Sequence, residues 1–203
     1  MKSFSEIDTT SKRATKAIGF SWGVAEEMGK NIRLLELYGL PGLKNLNEYF
    51  KVYKTKQFQT ISLINKINES SKILYCPITM GINFLDQINS VCNFKEIKFK
   101  NVAYPLLFLP FVSRASEIIG KRIFLKFDEN EFLLNFNQSI NLNFLENKII
   151  SYCKNIDLVF FENENTFNEI EWEELYKLSE ETFVEETDSL KKTGAGAGLT
   201  DND

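Results

Sequence analysis

Apolar residues in the first third of the chain recur at helical spacing. Phe4, Ile7, Ser11, Ala14 and Ile18 share one face behind the capping box Ser3-x-x-Glu6, and Gly19 is placed to end that helix. A second stripe, Val24, Ala25, Met28, Ile32 and Leu35, predicts a helix from about Trp22 to Tyr38, stopped by Gly39-Leu40-Pro41-Gly42. A third helix is predicted from Leu43 to about Lys54. The spacing then changes. Lys72–Tyr75 reads as a short strand, and Thr79–Ile88 as a helix on which Gly81, Phe84, Leu85 and Ile88 fall together. Glu96–Phe99 and Tyr104–Leu109 read as strands. Lys121–Phe127, Glu131–Phe136 and Ile140–Phe144 read as an antiparallel meander with one wet face, and Asp157–Phe161 as a further strand. The last helix opens at Thr166-x-x-Glu169 and is predicted to bury Trp172, Leu175, Tyr176 and Phe183. The sum is an α+β fold: an N-terminal helical layer packed on a mostly antiparallel sheet, with a C-terminal helix. One domain is expected over residues 1–193, followed by a glycine-rich acidic tail at residues 194–203.

Composition narrows the chemistry. At 203 residues, with 43% apolar and 26% charged residues, the chain suits a globular domain with a real core. The longest apolar run, Val102–Val112, is interrupted by Pro105 and Pro110 and falls short of the roughly 18 residues a bilayer needs. The N-terminus lacks the apolar core of a signal peptide. A cytoplasmic protein with no membrane partner is therefore expected. Histidine is absent, which removes Ser-His and Cys-His activation and every His-containing metal site. Cys76, Cys92 and Cys153 lie too far apart for a CxxC-type site, so free thiols in a reducing compartment are expected.

Charge is unevenly spread. Residues 44–100 hold nine lysines against four acids, whereas residues 157–188 hold twelve acids and one basic residue, Lys177. Such a dipole can steer an anionic ligand or pair protomers. The basic residues are dispersed and carry no accompanying aromatic motif, so nucleic acid is not an expected partner.

Three segments carry candidate chemistry. Trp22-Gly23-Val24-Ala25-Glu26-Glu27 puts two carboxylates in the first turn of a helix, where the dipole favours them. Glu26 has Lys30 one turn on and reads as a surface acid. Glu27, at the edge of the apolar stripe, is the more plausible site acid. Cys76-Pro77 places a thiol where a strand hands over to a helix N-terminus, a setting that favours the thiolate, and Asp86 follows on that helix. The chain ends in Gly194-Ala195-Gly196-Ala197-Gly198-Leu199-Thr200-Asp201-Asn202-Asp203. Its small side chains leave the backbone unrestricted, Leu199 is an apolar anchor, and Thr200, Asp201 and Asp203 supply oxygen ligands. Asp201 and Asp203 are the candidate metal ligands, suited to hard cations such as Mg²⁺ or Ca²⁺.

The Trp22–Glu27 block with Gly39–Gly42, the Cys76-Pro77 block with Gly81 and Asp86, and the Gly194–Asp203 segment together resemble a bacterial family known only as a domain of unknown function. The resemblance runs along essentially the whole chain and implies no reaction or ligand. A family pattern that ends on the final residue implies a docked tail. The leading expectation is a cytoplasmic accessory or ligand-binding protein. Its acidic tail would dock into its own or a partner's cleft, with Trp22, Glu26, Glu27, Leu199, Thr200, Asp201 and Asp203 as binding residues. A protein partner or a homo-oligomer joined through the tail follows from that reading. The alternative is a carboxylate-based or divalent-metal-dependent enzyme acting on a small molecule, with Glu27, Cys76 and Asp86 as candidate catalytic residues.

Overall fold

The computed structural model describes residues 2–70, 72–135 and 149–183, and the backbone of 140–143. Contacts divide the chain into two compact units, Met1–Asn163 and Glu164–Asp203.

The first unit opens with three helices, α1 (Phe4–Ala17), α2 (Trp22–Leu37) and α3 (Gly42–Tyr53). The capping box closes as the sequence predicts. The Ser3 amide donates to Glu6 Oε2 at 2.9 Å and the Glu6 amide to Ser3 Oγ at 3.2 Å, bonds that hold the Glu6 carboxyl below its usual range. After α1 the chain turns at Gly19, whose φ of +114° suits a residue without Cβ. Ala25, Met28, Ile32 and Leu35 of α2 are fully buried, so the stripe read from the sequence faces the core.

Two short helices follow, α4 (Pro77–Asp86) and α5 (Ile88–Val91), and then β2 (Glu96–Ala103), which pairs in parallel with the earlier β1 (Ile67–Glu69). Of the strand expected at Lys72–Tyr75, only Tyr75 pairs, through isolated bridges to Gln59 and Val102. The strand expected at Tyr104–Leu109 is absent. Tyr104 turns the chain with φ +42°, Pro105–Leu107 form a 3₁₀ turn, and α6 (Leu109–Ile119) begins. The proline in each case stands in the first turn of a helix, where its missing N–H costs nothing and its fixed φ is already helical. The run is apolar without a break because it is buried on every side: Leu109, Phe111, Val112 and Ala115 are all at 0% exposure.

The meander is present as β3 (Ile123–Phe127), β4 (Asn130–Leu134) and β5 (Ile140–Asn143), and β6 (Tyr152–Phe160) is longer than the strand predicted there. The sheet order is β1-β2-β6-β3-β4-β5, with every pair antiparallel except β1–β2. Phe136 and Phe144, expected as strand ends, lie outside the described residues. Ile97, Phe99, Leu125, Phe127, Phe132, Ile156 and Leu158 are buried on the inner face. Lys98, Asp157, Lys126 and Glu131 lie in register on the outer face. Lys98 Nζ is 3.6 Å from Asp157, and Lys126 Nζ is 2.6 Å from Glu131. Lys98 also meets Glu96 at 3.1 Å, and that bond first, with Asp157 beside it, raises the Lys98 ammonium above its ordinary range, as Glu131 does for Lys126.

In the second unit, α7 (Glu169–Glu180) is capped by Asn168 and Glu171, two residues later than the predicted Thr166–Glu169 box. Trp172, Leu175, Tyr176 and Phe183 were expected to be buried. They are instead 52%, 66%, 52% and 68% exposed.

A groove between the first and third helices

The residues singled out by the sequence fall in separate settings. Trp22, 56% exposed at the start of α2, has Lys16 Nζ 5.5 Å above its ring. Glu26 pairs across to Lys12 of α1 at 3.4 Å, and Lys30 pairs with Glu27 at 3.0 Å rather than with Glu26. Glu27 Oε2 also accepts from Arg114 Nη1 of α6 at 2.6 Å. Its carboxylate thus takes two cations and ties α2 to α6. Asp86 is exposed at the end of α4. Cys76 caps α4, is 2% exposed, and accepts from the Thr79 amide at 3.4 Å and from Tyr49 Oη at 2.9 Å. Around it Tyr49 packs against Tyr53, Phe58 and Tyr104 with ring centroids 5.2–5.5 Å apart. Leu199, Thr200, Asp201 and Asp203 lie outside the described residues. Among the described residues no three Cys, Asp or Glu side chains gather into a metal-binding set.

Burial around Cys76 makes the core sensitive to alkali. Desolvation first, and then the neighbouring Cys76 sulfur, pushes the Tyr49 hydroxyl far above its ordinary 10.0. Desolvation and the negative charge of Asp128 push the Cys153 thiol above its ordinary 9.0. Both groups hold their protons more tightly folded than unfolded. The stability they allow is complete below those ordinary values and is lost as pH rises past about 9 to 10. The urea midpoint should therefore stay level from pH 7 to 8.5 and fall above pH 9, and Tyr49→Phe should flatten the fall. A midpoint independent of pH up to 10.5 contradicts this account.

The concave surface that the sequence did not disclose lies between α1 and α3. Two adjoining hollows of about 440 and 540 Å³ share Ala14, Asn47 and Phe50. The first is lined also by Thr10, Ser11, Leu43, Lys44 and Leu46, and the second by Ala17, Ile18, Lys51, Lys54 and Thr55. The cause is a mismatch of side-chain size. Thr10, Ala14 and Ala17 recur at i, i+4 and i+7 on α1, and they face the larger Leu43, Leu46 and Phe50 at i, i+3 and i+7 on α3. Small residues on one wall leave the space unfilled.

The groove lining carries Lys44, Lys51 and Lys54 and no acid; Lys51 is already paired with Glu48 at 2.6 Å just outside the lining, so Lys44 and Lys54 supply most of a field that favours anions. Ser11 is 1% exposed, and its Oγ has no hydrogen-bond partner among the described residues. An unmade bond on a buried hydroxyl costs roughly 1–3 kcal/mol. No carboxylate and no thiol lines its walls.

Residues 2–75 match the family model described as Protein of unknown function (DUF3726). The match takes in α1, α2, α3 and every residue of the groove, and it ends before Cys76, Asp86 and the C-terminal segment. No curated protein and no solved structure matches the chain. Among the described residues no helix is long and apolar enough to cross a membrane.

The groove was hidden from sequence reading because it depends on which faces of two helices meet. The signal that points to it is the run of small residues Thr10, Ala14 and Ala17, of which the spacing of apolar residues places only Ala14 on the apolar face of the first helix.

Proposed function

We propose that this protein is a cytoplasmic, non-catalytic binding module whose α1–α3 groove takes an acidic peptide segment bearing apolar side chains. The observation that carries this reading is the groove itself, with its apolar walls and lysine rim on one continuous surface. Apolar anchors would supply affinity in the hollows, and the lysines would supply orientation and fast encounter. The C-terminal tip, Leu199-Thr200-Asp201-Asn202-Asp203, has the required composition and is proposed as a ligand for this groove or a partner's. So has the acidic region around α7. The carboxylate enzyme is the less supported reading, since Glu27 is engaged by Arg114 and Lys30.

Labelled peptides spanning residues 164–183 and 194–203 test the groove by fluorescence anisotropy against the full-length protein. At least one should bind, and binding should weaken as salt is raised. The double charge reversal Lys51→Glu/Lys54→Glu should weaken it about tenfold, the scale of losing two favourable charge contacts at an interface rim. If neither peptide binds, or if binding ignores the reversal, the groove is not the site.

A further inference from the structure

We infer that the occupant of the groove is α7 of a second copy of this chain, so that the protein self-associates through reciprocal helix-in-groove contacts. This rests on the groove reading above and names its partner. Two observations, on separate units, match each other. On α7 the residues Trp172, Leu175 and Tyr176 fall on one helical face, all more than half exposed, and Phe167, Trp172 and Tyr176 line up with ring centroids 5.9 and 6.5 Å apart. An aromatic face of that kind, left in water, is the mark of an interaction surface. The groove offers the complementary shape, because the small residues Thr10, Ala14 and Ala17 leave room for large side chains.

Charge agrees with shape. α7 carries Glu169, Glu171, Glu173, Glu174 and Glu180 against Lys177 alone, and the groove lining carries Lys44, Lys51 and Lys54, of which Lys51 is shared with Glu48. Length agrees as well. At 1.5 Å per residue, α7 and the α3 wall from Leu43 to Lys54 each span about 18 Å. Acidic amphipathic helices that lay an apolar face into a hydrophobic groove are a common recognition mode. When each copy both gives a helix and receives one, the assembly closes as a two-fold dimer without an open end.

Sedimentation equilibrium of the full-length chain tests the proposal. The protein is expected to dimerise, with weaker association at higher salt. Trp172→Ala/Tyr176→Ala should raise the dimer dissociation constant about thirtyfold or more, as loss of aromatic anchors does. Lys51→Glu/Lys54→Glu should also dissociate it, and mixing that variant with Glu173→Lys/Glu180→Lys should restore a heterodimer. Circular dichroism confirms that each variant is folded, since all six positions lie outside the core. A protein that stays monomeric at all concentrations overturns the proposal. So does a dimer indifferent to the α7 substitutions. If the protein is monomeric while the 194–203 peptide binds in a Lys51/Lys54-dependent way, the groove reading stands and α7 is not its occupant. If neither peptide binds, both fall.

Discussion

Phe108→Ala is expected to destabilise the protein by about 3–5 kcal/mol, the range for removing a fully buried phenylalanine ring and leaving a cavity behind. Phe108 is at 0% exposure where the 3₁₀ turn enters α6. Its ring meets those of Phe84 and Phe99 at 5.5 Å in edge-to-face geometry, joining α4, β2 and the start of α6. Truncating it removes apolar burial and two aromatic contacts together, and three elements have to collapse inward to fill the space. Urea denaturation reads the loss directly. Leu63→Ala is the control, because a side chain 67% exposed should change stability by no more than about 0.5 kcal/mol. Equal effects for the two substitutions would mean that the aromatic triad is not the centre of the core.

Gly81→Ala is expected to destabilise by about 3 kcal/mol, against the sign that helix propensity alone assigns. In the interior of a helix such as α4, alanine is favoured over glycine by roughly 1 kcal/mol. Yet a Cβ at position 81 would fall inside the ring of Phe111 on α6, and that ring is fully buried with no room to withdraw. The glycine is there because two helices touch at that point. Adding Phe111→Leu should return part of the loss, so that the double variant is more stable than the two single effects predict when summed. A neutral or stabilising Gly81→Ala would refute the close approach of α4 and α6.

Both expectations concern the part of the fold that sequence pattern described least well. Where one face of an element is buried and the other wet, the period of the pattern is visible. The capping box at Ser3, the stripe on α2, the extent of α3 and the meander of β3 and β4 were all legible for that reason. Where burial is on all sides, the period vanishes. Tyr104–Leu109, apolar throughout, reads as a strand, and it forms instead the 3₁₀ turn and the first residue of α6. On α7 the period is clear and the helix is present, but an apolar face states only that it wants a partner, not that the partner lies within the same unit.

Candidate chemistry divides in the same way. Residue types are a property of the sequence: the absence of histidine, the scattered cysteines and the opposed acidic and basic regions delimit what reactions and ligands are open to this chain. Which groups meet is a property of packing. Glu27 read as a site acid at a cleft edge, and tertiary contact pairs it with Arg114, 87 residues away. Cys76 read as a thiol at a helix N-terminus. That placement holds, while the aromatic rings around it, Tyr49 and Tyr53 of α3 with Phe58 just beyond and Tyr104 from far along the chain, are brought to it by packing. The α1–α3 groove belongs wholly to tertiary structure, because neither wall is concave by itself. Local pattern determines which residues turn inward on each element, since burial on one side leaves a periodic trace. The space between two elements is decided by the difference in size of side chains that lie more than thirty residues apart, and no periodicity records that.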